Sequence, residues 1–184
     1  AVAVRDLTIH TAPSQRTYPF SVGSSFIGIQ EVEYRGVWKE QSLYTFDTVS
    51  DSVTNVDIVT DSADKREGEA SNRVNIGGGV SSAAAVSPSS FSSAMDLRGY
   101  THIEFWIKTN VTTTSSALRA RLGEGSTARE TINIPAVTLD SWTYQRLALV
   151  TPGVDSAISR FVLMTGASDM GSVTVWLDDL KAVR

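Results

Sequence analysis

Hydrophobic and polar residues alternate along most of this chain in short stretches with a period of two. The clearest stretch is 97–108, Leu-Arg-Gly-Tyr-Thr-His-Ile-Glu-Phe-Trp-Ile-Lys. It enters through a Gly99-centred turn and then places Ile103, Phe105 and Ile107 on one side of an extended ribbon. Glu104, Trp106 and Lys108 fall on the other side, because side chains alternate faces along a strand. Aromatic and β-branched residues at this density predict a central strand of an antiparallel sheet, with neighbours on both sides.

Similar alternation predicts strands at 53–59, 73–76, 117–122, 131–134, 142–150, 159–165 and 172–180. In 117–122, Leu118, Ala120 and Leu122 oppose Arg119 and Arg121. Residues 61–69 read as a polar loop, Gly77-Gly78-Gly79 as a strand-end turn, and the small, polar run 81–93 as a long ordered loop anchored by Val80, Val86 and Phe91. No segment of a dozen residues holds a helical apolar stripe. Short strands separated by Gly, Ser, Asp and Pro predict an all-β fold, an antiparallel two-sheet sandwich or barrel.

Residues 1–46 differ in pattern. Val2, Val4, Leu7 and Ile9 make two short alternating pieces, which Pro13 and Pro19 interrupt. Seven of the fifteen aromatic residues lie here, including Tyr18, Phe20, Phe26, Tyr34, Trp38 and Tyr44. So many rings in a segment of little regularity need a surface to pack on. Two readings stay open: extra strands covering the chain's own sheet, or an extended N-terminal arm that docks on a partner. The division is therefore placed between an aromatic-rich segment, 1–46, and a β-sandwich domain, 47–184.

Composition narrows the functions. The formal net charge is −4, with 16 basic against 20 acidic residues, which argues against nucleic acid, whose binders neutralise phosphates with Lys and Arg. Arg119 and Arg121 share one strand face, but Glu124 and Glu130 are close in sequence, so the plain reading is a solvated face. There is no cysteine, so neither a disulfide framework nor a thiolate metal site is expected, and the plain compartment is a reducing one or one indifferent to redox. No apolar run is long enough to span a membrane as a helix, and no secretory leader is visible. Of catalytic sets there is little sign. His10 and His102 are the two histidines, no Gly-x-Ser-x-Gly elbow occurs, and nothing selects a pair of carboxylates for glycoside hydrolysis. The expectation is a protein that is not an enzyme.

Three further marks carry a resemblance: Glu67-Gly68-Glu69-Ala70-Ser71 before the strand at 74–76, the stretch 97–108, and Val173-Thr174-Val175-Trp176-Leu177-Asp178-Asp179-Leu180 at the end. With Leu139-Asp140-Ser141-Trp142-Thr143, the pattern from 64 to 184 resembles a jelly-roll sandwich of the galactose-binding-like or carbohydrate-binding-module kind. It also resembles modules of tailed-phage virion proteins. This covers about two-thirds of the chain, and its degenerate motifs speak more to fold than to role.

The resemblance implies a jelly roll and two roles. In the first, the chain is a virion structural protein, a capsid decoration (cement) protein or else a tail component. Its partners are major capsid or tail subunits, it forms a homo-oligomer such as a trimer, and Tyr18, Phe20, Phe26, Tyr34, Trp38 and Tyr44 dock it. In the alternative, it is a carbohydrate-binding module or receptor-binding head that stacks a glycan on Trp106, Trp142 or Trp176. Relatives of this fold also imply a structural Ca²⁺, for which the matching oxygen donors are Asp64, Glu67 and Glu69 with Asp178 or Asp179.

Overall fold

The computed structural model describes residues 6–11, 14–19, 40–49, 53–80, 83–166 and 170–184. The chain divides into two units, Ala1–Val37 and Trp38–Arg184. In the first unit, β1 (Asp6–Thr11) and β2 (Ser14–Pro19) form an antiparallel ribbon with Thr11 opposite Ser14 and Asp6 opposite Pro19.

The second unit is a sandwich of two antiparallel sheets. Its strands are β3 (Glu40–Tyr44), β4 (Val56–Asp61), β5 (Ser71–Ile76), β6 (Ala85–Met95), β7 (His102–Thr109), β8 (Leu118–Glu124), β9 (Thr127–Asn133), β10 (Thr143–Ala148), β11 (Ile158–Thr165) and β12 (Val173–Val183). One sheet has the order β10-β7-β12-β5-β4, and β3 pairs with the far end of β12. The other has the order β6-β11-β8-β9. The all-β, two-sheet expectation holds, and β7 is the interior strand that its composition predicted, flanked by β10 and β12.

The alternating pattern explains the core. Ile103, Phe105 and Ile107 from β7 are fully buried, as are Leu118, Ala120 and Leu122 from β8, Phe161 and Leu163 from β11, and Val175 and Leu177 from β12. Phe161 meets Phe105 at 5.7 Å and Phe46 at 6.0 Å, both edge-on. One ring therefore ties both sheets to the segment after β3. Phe46 adopts a left-handed backbone, φ 61°, at a cost of roughly 1–2 kcal/mol for a residue with a Cβ. Burying its ring contributes roughly 1.5–3 kcal/mol, enough to hold that conformation.

Two sequence expectations are corrected here. The boundary after Phe46 falls too late: β3 runs antiparallel to β12, with Leu180 opposite Tyr44 and Val183 opposite Glu40, and Leu43 and Phe46 are buried in the core. Period-two alternation in Gln-Ser-Leu-Tyr was hidden by the aromatic clutter around it. The run 81–93 is not a loop, since Ala85–Met95 is an eleven-residue strand. Val86, Ser87, Ser89 and Phe91 are buried, and Pro88 is tolerated because β6 lies at a sheet edge, where a missing N–H breaks no ladder. Its small residues carry too little hydrophobic contrast to be read as a strand.

Candidate functional site

The outer face of the larger sheet collects the three tryptophans of the alternative role. Register puts Tyr144 opposite Trp106, Trp106 opposite Asp178, and Lys108 opposite Trp176. The loop between β4 and β5 folds over this face. Arg66 lies 4.4 Å from the Trp106 ring centre, with Tyr144 at 4.9 Å, and Lys108 lies 4.8 Å from the Trp176 ring centre. Trp142 donates its indole N–H to Asp64, and Trp176 donates to Asp61. Burial pushes the Asp61 carboxyl up, but donation by Trp176, by the Asp64 and Ala63 amides and from nearby Arg73 outweighs it and leaves the group below its ordinary range. The three indoles are half-buried, and those of Trp106 and Trp176 lie under cations of their own chain. Cation–π contacts of this kind each contribute about 0.5–1 kcal/mol.

The acids expected to cage Ca²⁺ serve the same loop. Asp178, fully buried, accepts the amides of Arg66 and Glu67 at 2.6 and 2.9 Å through Oδ2. Asp64 pairs with Lys108, Asp179 with Lys181, and the Glu67 and Glu69 side chains are exposed. Asp47 accepts the amides of Glu69 and Ala70, and Gly68, at φ +59°, leaves no room for a side chain beside that carboxylate. An oxygen that already accepts two N–H groups has its lone pairs engaged and is not free to ligate a hard cation. Among the described residues no three His, Asp or Glu side chains gather to hold a metal, and the Oδ1 of Asp178 is buried without a hydrogen-bond partner.

Of the expected docking residues, Tyr44 sits on β3 and turns its ring to Phe46 at 4.9 Å and Phe91 at 6.3 Å. Tyr18 lies on β2 opposite Leu7. Phe20, Phe26, Tyr34 and Trp38 lie outside the described residues.

The outer face of the smaller sheet is built differently. Because Leu118, Ala120 and Leu122 point inward, Arg119 and Arg121 point out, opposite Met164 and Val162 of β11 and opposite Asn133 and Thr131 of β9. Arg160 joins them from β11. It stands opposite Gly123, and a Cβ on that glycine would meet its Nε at 3.1 Å and its Cγ at 3.3 Å. The glycine thus admits the Arg160 side chain into the place along β8 where the next side chain would stand. Ser90, Thr131 and Asn133 are exposed around the row, and Val162 and Met164 are buried beneath it.

The acids near in sequence are not partners of this row. Glu124 pairs with Arg129. Glu130 points into the sandwich, where it accepts the amides of Val150 and Thr151 at 3.0 and 2.6 Å. Among the described residues no carboxylate pairs with Arg119, Arg121 or Arg160, and the Nε of each is buried without an acceptor. Arg160 and Gly123 escaped the sequence reading because nothing along the chain shows which strand lies beside β8.

Glu130 also stands beside Asp155, giving a buried carboxyl pair. Asp155 is fully buried and neither of its carboxylate oxygens has a donor. Burial and the charge of Glu130 push its carboxyl up to about 6 from the ordinary 3.8. Both groups lie inside, and their coupling bears on stability. Between those two pH values the folded chain holds the proton that the unfolded chain has released. The contribution is therefore complete below pH 3.8 and declines as pH rises through about 6. Asp155→Asn, whose amide can donate to Glu130, is expected to gain about 1–2 kcal/mol on the parent between about pH 5 and pH 8. Urea midpoints at both pH values check it, and parallel shifts in the two proteins would refute the assignment.

No known protein family matches the sequence, and no curated protein matches it either. Solved structures do resemble the fold. A family 11 carbohydrate-binding module from Clostridium thermocellum, in complex with a β-1,3-1,4-mixed-linked tetrasaccharide, is 15% identical. It covers 78% of this chain and 95% of its own, with a TM-score of 0.54. The family 30 module of a cellulosomal cellulase from the same organism is 16% identical over 78% of this chain and 96% of its own, TM-score 0.51. An exo-β-agarase matches 77% of this chain over 24% of its own length, at 10% identity and TM-score 0.50. At such identities the likeness concerns fold. The phage kinship implied by the sequence marks has no counterpart in these three.

Proposed function

We propose that the sandwich is a non-catalytic carbohydrate-binding module that lays a saccharide across the outer face of the sheet β6-β11-β8-β9. The observation that carries this reading is the likeness of fold, which spans nearly the whole length of two carbohydrate-binding modules. The placement follows from what occupies each sheet. On the larger one, the rings of Trp106 and Trp176 are overlain by Arg66, Tyr144 and Lys108, which take the flat surface a sugar would stack on. On the smaller one, exposed Ser90, Thr131 and Asn133 offer hydroxyl and amide groups beside three guanidinium donors.

Affinity electrophoresis of the full chain through gels holding a panel of neutral and acidic polysaccharides is expected to show retardation by at least one. Hydrogen exchange with that polymer should slow in β6, β8, β9 and β11. A folded chain that no polysaccharide retards would sink the reading. Protection confined to β7, β10 and β12 would move the site to the tryptophan face and overturn the placement.

A further inference from the structure

The chain as a whole is acidic, with a formal net charge of −4, yet one sheet face carries three arginines without a carboxylate partner among the described residues. Like charges on neighbouring positions of a strand pair destabilise a sheet by a few tenths of a kcal/mol or more. An Nε–H buried without an acceptor costs roughly 1–3 kcal/mol. A fold that only needed a solvated face would place Lys, Thr or Ser at these positions, or interleave acids. The arrangement makes sense when something anionic completes it.

The geometry narrows that something. Arg119 and Arg121 are two residues apart on β8, and Arg160 fills the space above Gly123, two residues further. Residues two apart on a strand are spaced by about 6.7 Å. Three guanidinium groups thus follow one line along β8, not a compact pocket for a single ion. Guanidinium groups receive a carboxylate or sulfate through two parallel hydrogen bonds from their planar forks. Their stems lie over buried Val162 and Met164, so the side chains rest on the sheet and lose little freedom when a ligand arrives.

We infer that Arg119, Arg121 and Arg160 bind a linear anionic polysaccharide, one bearing carboxylate or sulfate groups at intervals along its length. This rests on the saccharide-binding reading above and adds the class of saccharide. Gly123 is a positioning residue, holding open the space through which Arg160 joins the line.

The test uses the full chain, with polygalacturonate and dextran sulfate as carboxylate and sulfate probes and a mixed-linked β-1,3-1,4-glucan as the neutral one. Binding to at least one anionic polymer is expected, weakening at least tenfold or so between about 50 and 500 mM salt as the charges are screened. Arg121→Gln should lose about tenfold in affinity. Arg121→Lys, which keeps the charge without the fork, should lose less. The triple change to Gln at 119, 121 and 160 should abolish binding with the melting temperature unchanged or raised. If the triple variant does not fold, the two single variants decide alone.

Retention on the neutral glucan with none on either anionic probe would overturn this inference and leave the saccharide-binding reading standing. Failure on all three probes and the wider panel would overturn both. Single variants that bind like the parent, or single-stranded DNA bound as tightly as the polysaccharides, would also overturn it.

Discussion

Phe161→Ala is expected to remove about 3–5 kcal/mol of stability, the usual cost of a fully buried Phe whose cavity does not collapse. Phe161 is 0% exposed and touches rings from two other segments, Phe46 after β3 and Phe105 on β7. Rigid strands surround the ring, so the lining cannot relax into the space it leaves. The two sheets lose the side chain that joins them. In a unit of this size the loss corresponds to a fall in melting temperature of about 8–15 °C. Thermal and urea unfolding of the variant measure it. A loss under about 1 kcal/mol would show that the sheets are held elsewhere.

Gly166→Ala is expected to be as damaging for the opposite reason. A Cβ at this position would stand 2.0 Å from the carbonyl oxygen of Ser116 and 3.0 Å from that of Ala117. Both are backbone atoms and cannot swing aside. Gly166 donates its amide to Ala117 at 2.7 Å and accepts from the Ala83 amide at 2.7 Å, so three segments meet at one point and all must shift. Overpacking of this severity costs at least about 3 kcal/mol. Gly153 supplies the control: nothing lies within 4 Å of its added Cβ and its backbone is ordinary. Gly153→Ala should therefore change stability by no more than about 1 kcal/mol, in the stabilising direction if at all. Equal effects at 153 and 166 would refute the steric account.

The saccharide-binding proposal and these stability predictions concern separate parts of the molecule. Phe161 and Arg160 are adjacent on β11 yet point to opposite faces, because the strand period is two. Substituting one tests the core, and substituting the other tests the ligand face.

Alternation alone determined a good deal about this protein. The inward set of Ile103, Phe105 and Ile107, of Leu118, Ala120 and Leu122, and of Phe161 and Leu163 is visible residue by residue, because burial on one face of a strand writes a period-two signal into the chain. That signal sufficed for an all-β, two-sheet architecture and for the outward direction of Arg119 and Arg121. It faded where side chains are small, as in β6, or where aromatics crowd both phases, as around β3.

The tertiary structure decided what stands next to what. Glu130 lies nine residues from Arg121 in sequence and yet points to the other side of the sheet, while Arg160, far along the chain, comes into line with Arg119 and Arg121 through the pairing of β8 with β11. The same kind of pairing set Lys108 beside Trp176, while the loop between β4 and β5 brought Arg66 over Trp106 and the Arg66 and Glu67 amides to Asp178. Strand direction is a local property, set by each residue's neighbours in the chain. Strand order is a property of the whole fold, set by which sheets close best on one core, and the partners of every charged group depend on it.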